Sequence, residues 1–236
     1  MRPILAYDTS TPCARVAVLS PAGACLATAE KAAARHSSNL LRLCDEVLAA
    51  TGVTVAGLSA IACGAGPGSF TGLRVGLAVA KGLALADRTP LVLVSSLDAL
   101  AADLAGSGGG GLVLPCIDAG KGQVYGRLYR ATGAAAVPIS TDEFALSPED
   151  LCRLVQTQAA GAAVLAGGNG VDRYLDVFRA HLGPEAVRAQ IAGPSALAVG
   201  RLALARLARG EHDDLETSVP RYGRPPDITK PKSAPQ

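Results

Sequence analysis

Residues 4–11 read Ile-Leu-Ala-Tyr-Asp-Thr-Ser-Thr, an apolar stretch that ends at an aspartate and enters a turn rich in hydroxyl groups. The apolar stretch predicts a short strand, and the two segments that follow it after tight turns predict an antiparallel meander. Further along the chain, residues 114–118 read Leu-Pro-Cys-Ile-Asp, which is a second apolar strand ending at an aspartate. The same beginning in two places predicts two halves built on one plan.

The elements that follow these two strands also come in a similar order. In the first half, apolar periodicity predicts a helix over 36–50, a strand over 58–63, a glycine-rich loop over 64–68, a helix over 71–86, a strand over 91–94 and a helix over 96–104. In the second half it predicts a strand over 123–129, a helix after Ser147, a strand over 163–166, a glycine turn over 167–170 and helices over 171–181 and 194–209. Two such halves facing each other across a cleft are typical of the actin-like ATPase fold, an α/β fold of two duplicated ribonuclease-H-like subdomains.

A glycine-rich segment separates the two halves. Residues 106–111 read Gly-Ser-Gly-Gly-Gly-Gly, a composition typical of a flexible linker. We therefore predict an N-terminal subdomain over 1–105 and a C-terminal subdomain over 112–215. Residues 216–236 are rich in proline and poor in apolar residues, so we expect an irregular tail there.

The composition of the 236 residues argues against several classes of protein. The formal net charge is +2 and aromatic residues make up 3% of the chain, which argues against a direct nucleic-acid groove. No apolar segment is long enough to span a bilayer and the first residues do not resemble a signal peptide, so we expect a cytoplasmic protein without membrane contact. The six scattered cysteines include no Cys-x-x-Cys pair and predict small core residues in a reducing compartment, with a zinc site or a disulfide set as the alternative.

Two loops have the residues to hold an anion. Residues 64–72 read Gly-Ala-Gly-Pro-Gly-Ser-Phe-Thr-Gly between a strand and a helix, where backbone amides and the helix dipole favour a phosphate. This loop lacks the Gly-Lys-Ser/Thr of a Walker A motif and the third glycine of a dinucleotide fingerprint, so a tight strand-to-helix turn is the alternative. The turn after Asp8 can bind phosphate through its amides or satisfy its own backbone. The candidate nucleotide-binding residues are Asp8, Thr9, Ser10, Gly66, Gly68, Asp118, Gly167 and Gly168.

Four segments of the first half form an ordered set of motifs. They are Ile4-Leu5-Ala6-Tyr7-Asp8-Thr9-Ser10-Thr11, His36-Ser37-Ser38-Asn39-Leu40-Leu41, the stretch Gly-Pro-Gly-Ser-Phe-Thr-Gly-Leu-Arg within 64–76, and Val94-Ser95-Ser96-Leu97. The set resembles the bacterial TsaB (YeaZ) family, and the third motif is highly specific to it. Weaker similarity over 117–125, 165–168 and 219–227 extends the resemblance to the whole chain.

The resemblance implies a non-catalytic subunit that binds and activates TsaD, the enzyme that transfers a threonylcarbamoyl group to adenosine beside the tRNA anticodon. It also implies the ATPase TsaE as a partner, a homodimer when TsaD is absent, and contact with tRNA through the complex rather than directly. No cofactor is required in this reading, although ATP or ADP can lie at or near the subunit interface. The implied partner surface lies on the helix over 36–50 and on 70–86, with the candidate residues His36, Leu40, Leu41, Leu43, Cys44, Val47, Phe70 and Arg74. The same Ala- and Leu-rich stripe also fits a side of a helix that faces its own core.

The scarcity of histidine separates the chain from the catalytic relatives of this family. The resemblance implies that those relatives carry a His-x-x-x-His metal motif just after the strand over 91–94, where this chain reads Ser95-Ser96-Leu97-Asp98-Ala99-Leu100. Two histidines one helical turn apart are what such a metal site needs, so we predict no metal and no metallopeptidase activity. We interpret His36 as a helix cap or a surface residue.

A second function stays open on the sequence alone. In an actin-like small-molecule kinase or ATPase, Asp8 and Asp118 would position a magnesium-bound phosphate. Against this, the turn after Asp118 is poor in hydroxyl groups, and no acidic base is recognisable at a helix start near the cleft. The basic residues of the tail are interpreted as solvated, with contact to a tRNA backbone as the alternative, and they are Arg221, Arg224, Lys230 and Lys232.

Overall fold

The computed structural model describes residues 2–32, 36–108, 111–133, 135–140, 144–188 and 190–223. Its strands are β1 (Ile4–Asp8), β2 (Cys13–Leu19), β3 (Cys25–Ala32), β4 (Ala60–Gly64), β5 (Leu91–Val94), β6 (Gly111–Gly120), β7 (Gln123–Gly126), β8 (Tyr129–Thr132), β9 (Ala135–Pro138), β10 (Phe144–Leu146), β11 (Val164–Gly167) and β12 (Val187–Arg188). Its helices are α1 (His36–Thr51), α2 (Phe70–Asp87), α3 (Ser96–Gly108), α4 (Pro148–Ala159), α5 (Asn169–Arg173), α6 (Leu175–Leu182) and α7 (Ala196–Ala208). No helix within the described ranges combines the length and the apolar character that crossing a bilayer requires.

The first sheet has five strands in the order β3-β2-β1-β4-β5. Strands β1, β2 and β3 form the predicted antiparallel meander, with Tyr7 opposite Val16. Strands β4 and β5 run parallel to β1, because α1 precedes β4 and α2 precedes β5, and each helix gives the long crossover that parallel pairing needs. The ends of β1 and β4, at Asp8 and Gly64, therefore lie side by side.

Alternate side chains of β1 enter two different cores. Leu5 and Tyr7 are fully buried on the face that α1 and α2 cover, and Ile4 and Ala6 are fully buried on the face that α7 covers. Helix α7 therefore packs on the first sheet, and the predicted subdomain over 112–215 is wrong in including it. The apolar pattern of α7 predicts a buried helix but does not say which sheet buries it.

The second sheet follows the order β10-β7-β6-β11-β12, and β8 and β9 extend it from β6. Strand β11 runs parallel to β6 as β4 runs parallel to β1, which is the predicted similarity of the two halves. The predicted strand over 123–129 is interrupted, and its two parts, β7 and β8, pair with opposite ends of β6. The interruption lies opposite Pro115, whose nitrogen has no hydrogen to donate to a neighbouring strand.

Helix α3 lies between the two sheets and joins the halves. Leu97 and Leu104 are buried with residues of the second sheet, whereas Ala99 is buried in the core beneath α7. The carboxylate of Asp103 accepts hydrogen bonds from the backbone N and the Oγ of Ser195, both at 2.7 Å. These bonds tie α3 to the first turn of α7.

The predicted linker over 106–111 belongs to regular structure wherever it is described. Helix α3 continues to Gly108, and β6 begins at Gly111. Residues 109 and 110 lie outside the described residues. The glycine composition thus marks the boundary between the halves correctly, but it does not predict that a helix runs up to this boundary.

The residues after α7 close the open edge of the first sheet. The backbone N of Asp213 donates to the Leu91 carbonyl at 2.8 Å, and the Leu93 N donates to Asp213 Oδ2 at 2.7 Å. The Nη1 of Arg206 donates to the Leu93 carbonyl and to Asp213 Oδ2, both at 2.8 Å. Strand β5 therefore offers few unpaired groups along this edge, which protects it from pairing with another chain.

The chain then runs back along α2 to the glycine-rich loop. Lys81 Nζ donates to the Glu216 carbonyl at 3.3 Å, and the Arg221 N donates to the Ala65 carbonyl at 2.8 Å. We call residues 213–223 the C-terminal strap. Residues 216–223 have no helix or strand, as predicted for an irregular tail, but these anchor points hold them to the fold; residues 224–236 lie outside the described residues.

Candidate functional site

The carboxylate of Asp8 is buried at the end of β1 and fully engaged by hydroxyl and amide donors. Its Oδ1 accepts from the backbone N of Ser10 at 2.8 Å and from Ser10 Oγ at 2.6 Å. Its Oδ2 accepts from Ser96 Oγ at 2.7 Å. Burial raises the pKa of the Asp8 carboxyl, and the hydrogen bonds from Ser10 and Ser96 oppose that rise. The carboxylate thus serves as an internal connection between β1 and the start of α3.

The glycine-rich loop wraps tightly around this turn. A Cβ on Gly64 would lie 1.9 Å from Asp8 Oδ2, so only glycine lets β4 end beside the carboxylate. Gly68 has a φ of +153°, and a Cβ there would lie 2.3 Å from the Ser10 carbonyl oxygen. That same oxygen accepts a hydrogen bond from the Ser69 N at 2.7 Å. Close packing accounts for these two glycines.

Several groups that a phosphate would contact in this loop are already bonded within the chain. The Gly66 N donates to Ser96 Oγ at 3.2 Å, and the Ser69 N donates to Ser10. The Thr9 hydroxyl donates to the Gly72 carbonyl at 2.9 Å, and the Ser69 hydroxyl caps α2 by accepting from the Gly72 N. The arrangement is that of the alternative interpretation, a strand-to-helix turn that satisfies its own backbone.

The corresponding turn of the second half holds its aspartate differently. Asp118 Oδ2 accepts from Arg173 Nη1 at 2.7 Å, and Asp118 Oδ1 accepts from the Gly120 N at 3.0 Å. The backbone N of Asp118 donates to Asn169 Oδ1 at 3.2 Å. The carboxylate of Asp118 is therefore already paired with an arginine of the same chain. Within the described residues, no hydrogen bond or ion pair joins Asp118 to Asp8.

The exposed apolar side chains are concentrated on one side of the first sheet. Seven large apolar side chains are exposed among the described residues, and four of them belong to α1, α2 or the strap. These four are Leu41, Phe70, Leu85 and Val219, and their exposures are 48%, 44%, 71% and 68%. We call the outward side of α1, α2 and the strap the helical face.

The outward side of α2 has small residues between larger ones. Phe70, Arg74, Ala78, Gly82 and Leu85 recur every three or four residues, so they share one side of the helix. Ala78 and Gly82 are exposed, and a Cβ on Gly82 would meet nothing within 4 Å. Small residues between larger ones leave a shallow groove into which the side chains of a second helix fit.

Comparison with known proteins identifies the family. The family model described as TsaD, tRNA N6-adenosine threonylcarbamoyltransferase, matches residues 28–168. The tRNA threonylcarbamoyladenosine biosynthesis protein TsaB of Escherichia coli is 34% identical over 70% of this chain and 70% of its own length. The TsaB of Bacillus subtilis is 36% identical over 54% of this chain and 55% of its own length. The solved structure named YeaZ from Pseudomonas aeruginosa is 32% identical, covers 94% of this chain and 100% of its own, and has a TM-score of 0.80.

The chain belongs to the TsaB (YeaZ) family. It belongs at the same time to the wider family that the TsaD model describes. The ROK hexokinase of Thermus thermophilus superposes with a TM-score of 0.50 at 14% identity and 87% coverage of this chain, a likeness of fold alone. The resemblance inferred from the sequence motifs and the actin-like α/β fold are both confirmed.

The structure of this TsaB chain separates the predicted partner residues into two groups. Leu41, Phe70 and Arg74 are exposed on the helical face. The other described ones are buried within the chain, at 3% exposure or less, and they are Leu40, Leu43, Cys44 and Val47. For these four the prediction of a surface role is wrong, because the apolar stripe of α1 packs on the first sheet. The side chain of His36 lies outside the described residues.

The predicted nucleotide-binding residues are also divided between two places. Asp8, Thr9 and Ser10 meet the glycine-rich loop in the first half, whereas Asp118 lies in the second half beside the turn that contains Gly167 and Gly168. Gly168 packs against β6, since a Cβ there would lie 2.2 Å from the Cys116 carbonyl oxygen. A groove of about 690 Å³ opens elsewhere in the second half, between α4, α6 and the beginnings of β6 and β11, and none of the predicted site residues lines it.

The candidate partner residues do not include Leu85, Val219 and Tyr222 of the helical face, although Leu85 lies within the predicted partner segment over 70–86. Leu85 ends the period of apolar residues on α2, so its position was available as a signal. Val219 and Tyr222 lie in the 219–227 segment that resembles the TsaB family, but no local pattern shows that this segment returns to α2. Within the described ranges, no group of three or more His, Cys, Asp or Glu side chains is placed to hold a metal ion.

Proposed function

We propose that this TsaB protein is a non-catalytic subunit that binds TsaD and activates it in the threonylcarbamoylation of adenosine next to the tRNA anticodon. Membership of the TsaB family supports the broader role in tRNA threonylcarbamoyladenosine biosynthesis, which the names of its relatives state. The match to the TsaD model supports a partner built on a related fold, so that two similar surfaces can meet.

The helical face is the observation that carries the proposal. Large apolar side chains exposed together on one side of a monomer are typical of a surface that another molecule covers. A partner helix lying along α2 would bury Phe70 and Leu85 at its two ends and pack against Ala78 and Gly82 between them. The second sheet exposes fewer such side chains, among them Val137 of β9.

The two aspartate turns support the proposal that TsaD performs the chemistry. The carboxylate oxygens of Asp8 are bound by Ser10 and Ser96, and Asp118 is bound by Arg173. A phosphate or a magnesium ion would compete with these groups for the carboxylate oxygens. The proposal therefore requires no cofactor on this chain and places ATP or ADP, when the complex binds one, at or near the subunit interface.

The same surface accounts for the homodimer in the proposal, whereas the other partners join through the complex. Without TsaD, a second copy of this chain covers the helical face and forms a homodimer. TsaE joins as a further subunit, and tRNA is bound through the complex rather than directly by this chain. The proposal therefore includes a cytoplasmic location for the protein, together with the tRNA that the complex modifies.

The proposal is tested by placing a charge on the helical face. We expect Leu85→Asp to weaken binding to TsaD from the same organism at least about tenfold, because a carboxylate would be buried in an apolar contact. The matched control is Val137→Asp, which changes a similarly exposed apolar residue of the second half. Calorimetry gives the two dissociation constants, and a reconstituted reaction with tRNA, threonine, bicarbonate, ATP, the adduct-forming enzyme, TsaD and TsaE gives the activity.

Two results would contradict this reading. Equal binding by Leu85→Asp, Val137→Asp and wild type would show that the partner uses another surface. Formation of threonylcarbamoyl-adenosine by the isolated chain, in the absence of TsaD, would show that the chain is itself catalytic. The kinase or ATPase alternative gains no support from the geometry of Asp8 and Asp118, and phosphate release from magnesium–ATP by the isolated chain would be required to restore it.

A further inference from the structure

We propose that the C-terminal strap is part of the partner-binding surface, and that Tyr222 positions Arg74 so that its guanidinium binds a carboxylate side chain of the partner protein. This inference rests on the proposed function, because it takes the helical face as the surface that TsaD covers. Arg74 is in this account the recognising residue, and Tyr222 acts through it.

The guanidinium of Arg74 is held by two aromatic side chains. Its Nε donates to the Tyr222 hydroxyl at 3.0 Å. Its Cζ lies 4.0 Å from the ring centroid of Phe70 and 5.8 Å from that of Tyr222. The two rings lie 4.9 Å apart, centroid to centroid, at an interplanar angle of 36°. A side chain held in this way loses less conformational entropy when it binds a partner.

The remaining donors of Arg74 point to a carboxylate. Arginine has five N–H donors, and within the described residues the Nη1 and Nη2 atoms of Arg74 form no hydrogen bond or ion pair. Arg153, Arg173 and Arg209 behave differently, since each pairs with a carboxylate of the chain at 2.6–2.7 Å. Arg74 is exposed and keeps a planar pair of donors that matches the two oxygens of a carboxylate.

Contacts on the inner side of the strap hold Tyr222 independently of Arg74. The Arg221 N donates to the Ala65 carbonyl at 2.8 Å, and the Tyr125 hydroxyl donates to the Tyr222 carbonyl at 3.3 Å. Tyr125 belongs to β7 of the second sheet. The strap therefore lies across the glycine-rich loop and links the second half of the molecule to the helical face.

The surroundings of Arg74 favour a protein as the partner over a nucleic acid. Phe70 and Val219 are exposed nearby on the same face, and arginine beside exposed aromatic and apolar side chains is typical of the centre of a protein interface. A nucleic-acid surface would need several free cations. Within the described residues the strap has one exposed cation, Arg221, and Lys81 of α2 already donates to the Glu216 carbonyl.

The experiment compares four variants of the full chain in binding to TsaD. Arg74→Ala removes the proposed ion pair, Tyr222→Phe removes only the hydrogen bond to Arg74, and Tyr222→Ala removes the ring as well. Arg130→Ala is the matched control, because Arg130 is exposed on β8 of the other half. Calorimetry at low and high salt gives the dissociation constant and its salt dependence, and thermal unfolding reports whether each variant is folded.

We expect Arg74→Ala to weaken binding about tenfold or more and to reduce the salt dependence, because one charge-assisted contact is lost. Tyr222→Phe should weaken binding about threefold and keep the salt dependence, since Arg74 remains but is less well held. Tyr222→Ala should weaken binding more than Tyr222→Phe. Arg130→Ala should bind as wild type does.

The outcomes separate this inference from the proposed function. If Leu85→Asp abolishes binding while folded Tyr222→Ala binds as wild type, the strap plays no part in the interface and the inference is overturned, although the proposed function stands. If Leu85→Asp also binds normally, the proposed function fails. An Arg74→Ala protein that binds TsaD normally but whose complex binds tRNA more weakly would assign Arg74 to nucleic acid and overturn the carboxylate assignment.

Discussion

Leu40 and Leu41 are neighbours in sequence but should respond to truncation in opposite ways. Leu40 is fully buried in the core with Tyr7 and Val16, whereas Leu41 is 48% exposed on the helical face. We expect Leu40→Ala to lower the stability of the chain without a specific effect on partner binding. We expect Leu41→Ala to weaken TsaD binding with little effect on stability.

The magnitudes follow from the burial of the two side chains. Truncating a fully buried leucine to alanine costs about 2–5 kcal/mol, so we take roughly 3 kcal/mol for Leu40. A chain of this length shifts its melting temperature by about 2–4 °C per kcal/mol, which gives a decrease of roughly 6–12 °C. Leu41→Ala should change stability by less than about 0.5 kcal/mol. If a partner covers its exposed half, binding should weaken by about 1 kcal/mol, or about fivefold.

Thermal unfolding and calorimetric titration with TsaD measure the two effects on the same protein samples. Binding by Leu40→Ala is measured well below its melting temperature, so that the folded chain is compared with folded wild type. A Leu40→Ala protein with the wild-type melting temperature and weakened TsaD binding would refute the reasoning. It would mean that the apolar stripe of α1 faces the partner rather than the first sheet.

The remaining predictions concern the two aspartate turns. Burial raises the pKa of Asp8 above its ordinary value of 3.8, so the folded chain binds this proton more tightly than the unfolded chain and the free energy of unfolding falls as the pH rises between the two pKa values. Asp8→Asn removes this decrease, so in urea unfolding the stability of the variant should rise relative to that of wild type as the pH increases above the ordinary pKa of 3.8. Ser96→Ala leaves Oδ2 of Asp8 without its hydroxyl donor and should cost about 1–3 kcal/mol in urea unfolding, whereas a cost near zero would show that the bond contributes nothing. Gly64→Ala forces a Cβ to within 1.9 Å of the same oxygen and should destabilise by about 1–3 kcal/mol or more, which thermal unfolding measures. Arg173→Ala breaks an exposed ion pair and should leave the melting temperature nearly unchanged, and a loss of several degrees would show that the pair supports the second sheet.

Local sequence patterns predict the strands and helices in which apolar residues recur at a regular period. The strand that ends at Asp8, the helix observed as α2 over Phe70–Asp87 and the helix observed as α7 over Ala196–Ala208 all lie close to their predicted ranges. The repetition of the aspartate-ended strand also predicts two similar halves. In each case the signal is a period of apolar residues closed by a turn or a cap, and such signals depend only on near neighbours in sequence.

Contacts between distant residues are not visible in such patterns. Almost every residue of α7 is small or apolar, so its sequence suits either sheet, and the choice depends on Ile4, Ala6 and other side chains far away in the chain. The strap has no period at all, and its path depends on single hydrogen bonds to Leu91, Lys81 and Ala65. The same limit applies to α1, because an apolar stripe reveals that one side is covered but not by what.

The residues of the first turn that are predicted to bind phosphate also connect the end of β1 to the first turn of α2. Asp8 fixes Ser10, and the Ser10 carbonyl accepts from the N of Ser69, the residue that caps α2. The Thr9 hydroxyl binds the Gly72 carbonyl in the first turn of the same helix. The turn after β1 therefore sets the position of the first turn of α2, where Phe70 begins the helical face. If the helical face binds the partner as proposed, the turn after Asp8 aligns that surface, so disrupting Asp8 should weaken partner binding by shifting the start of α2.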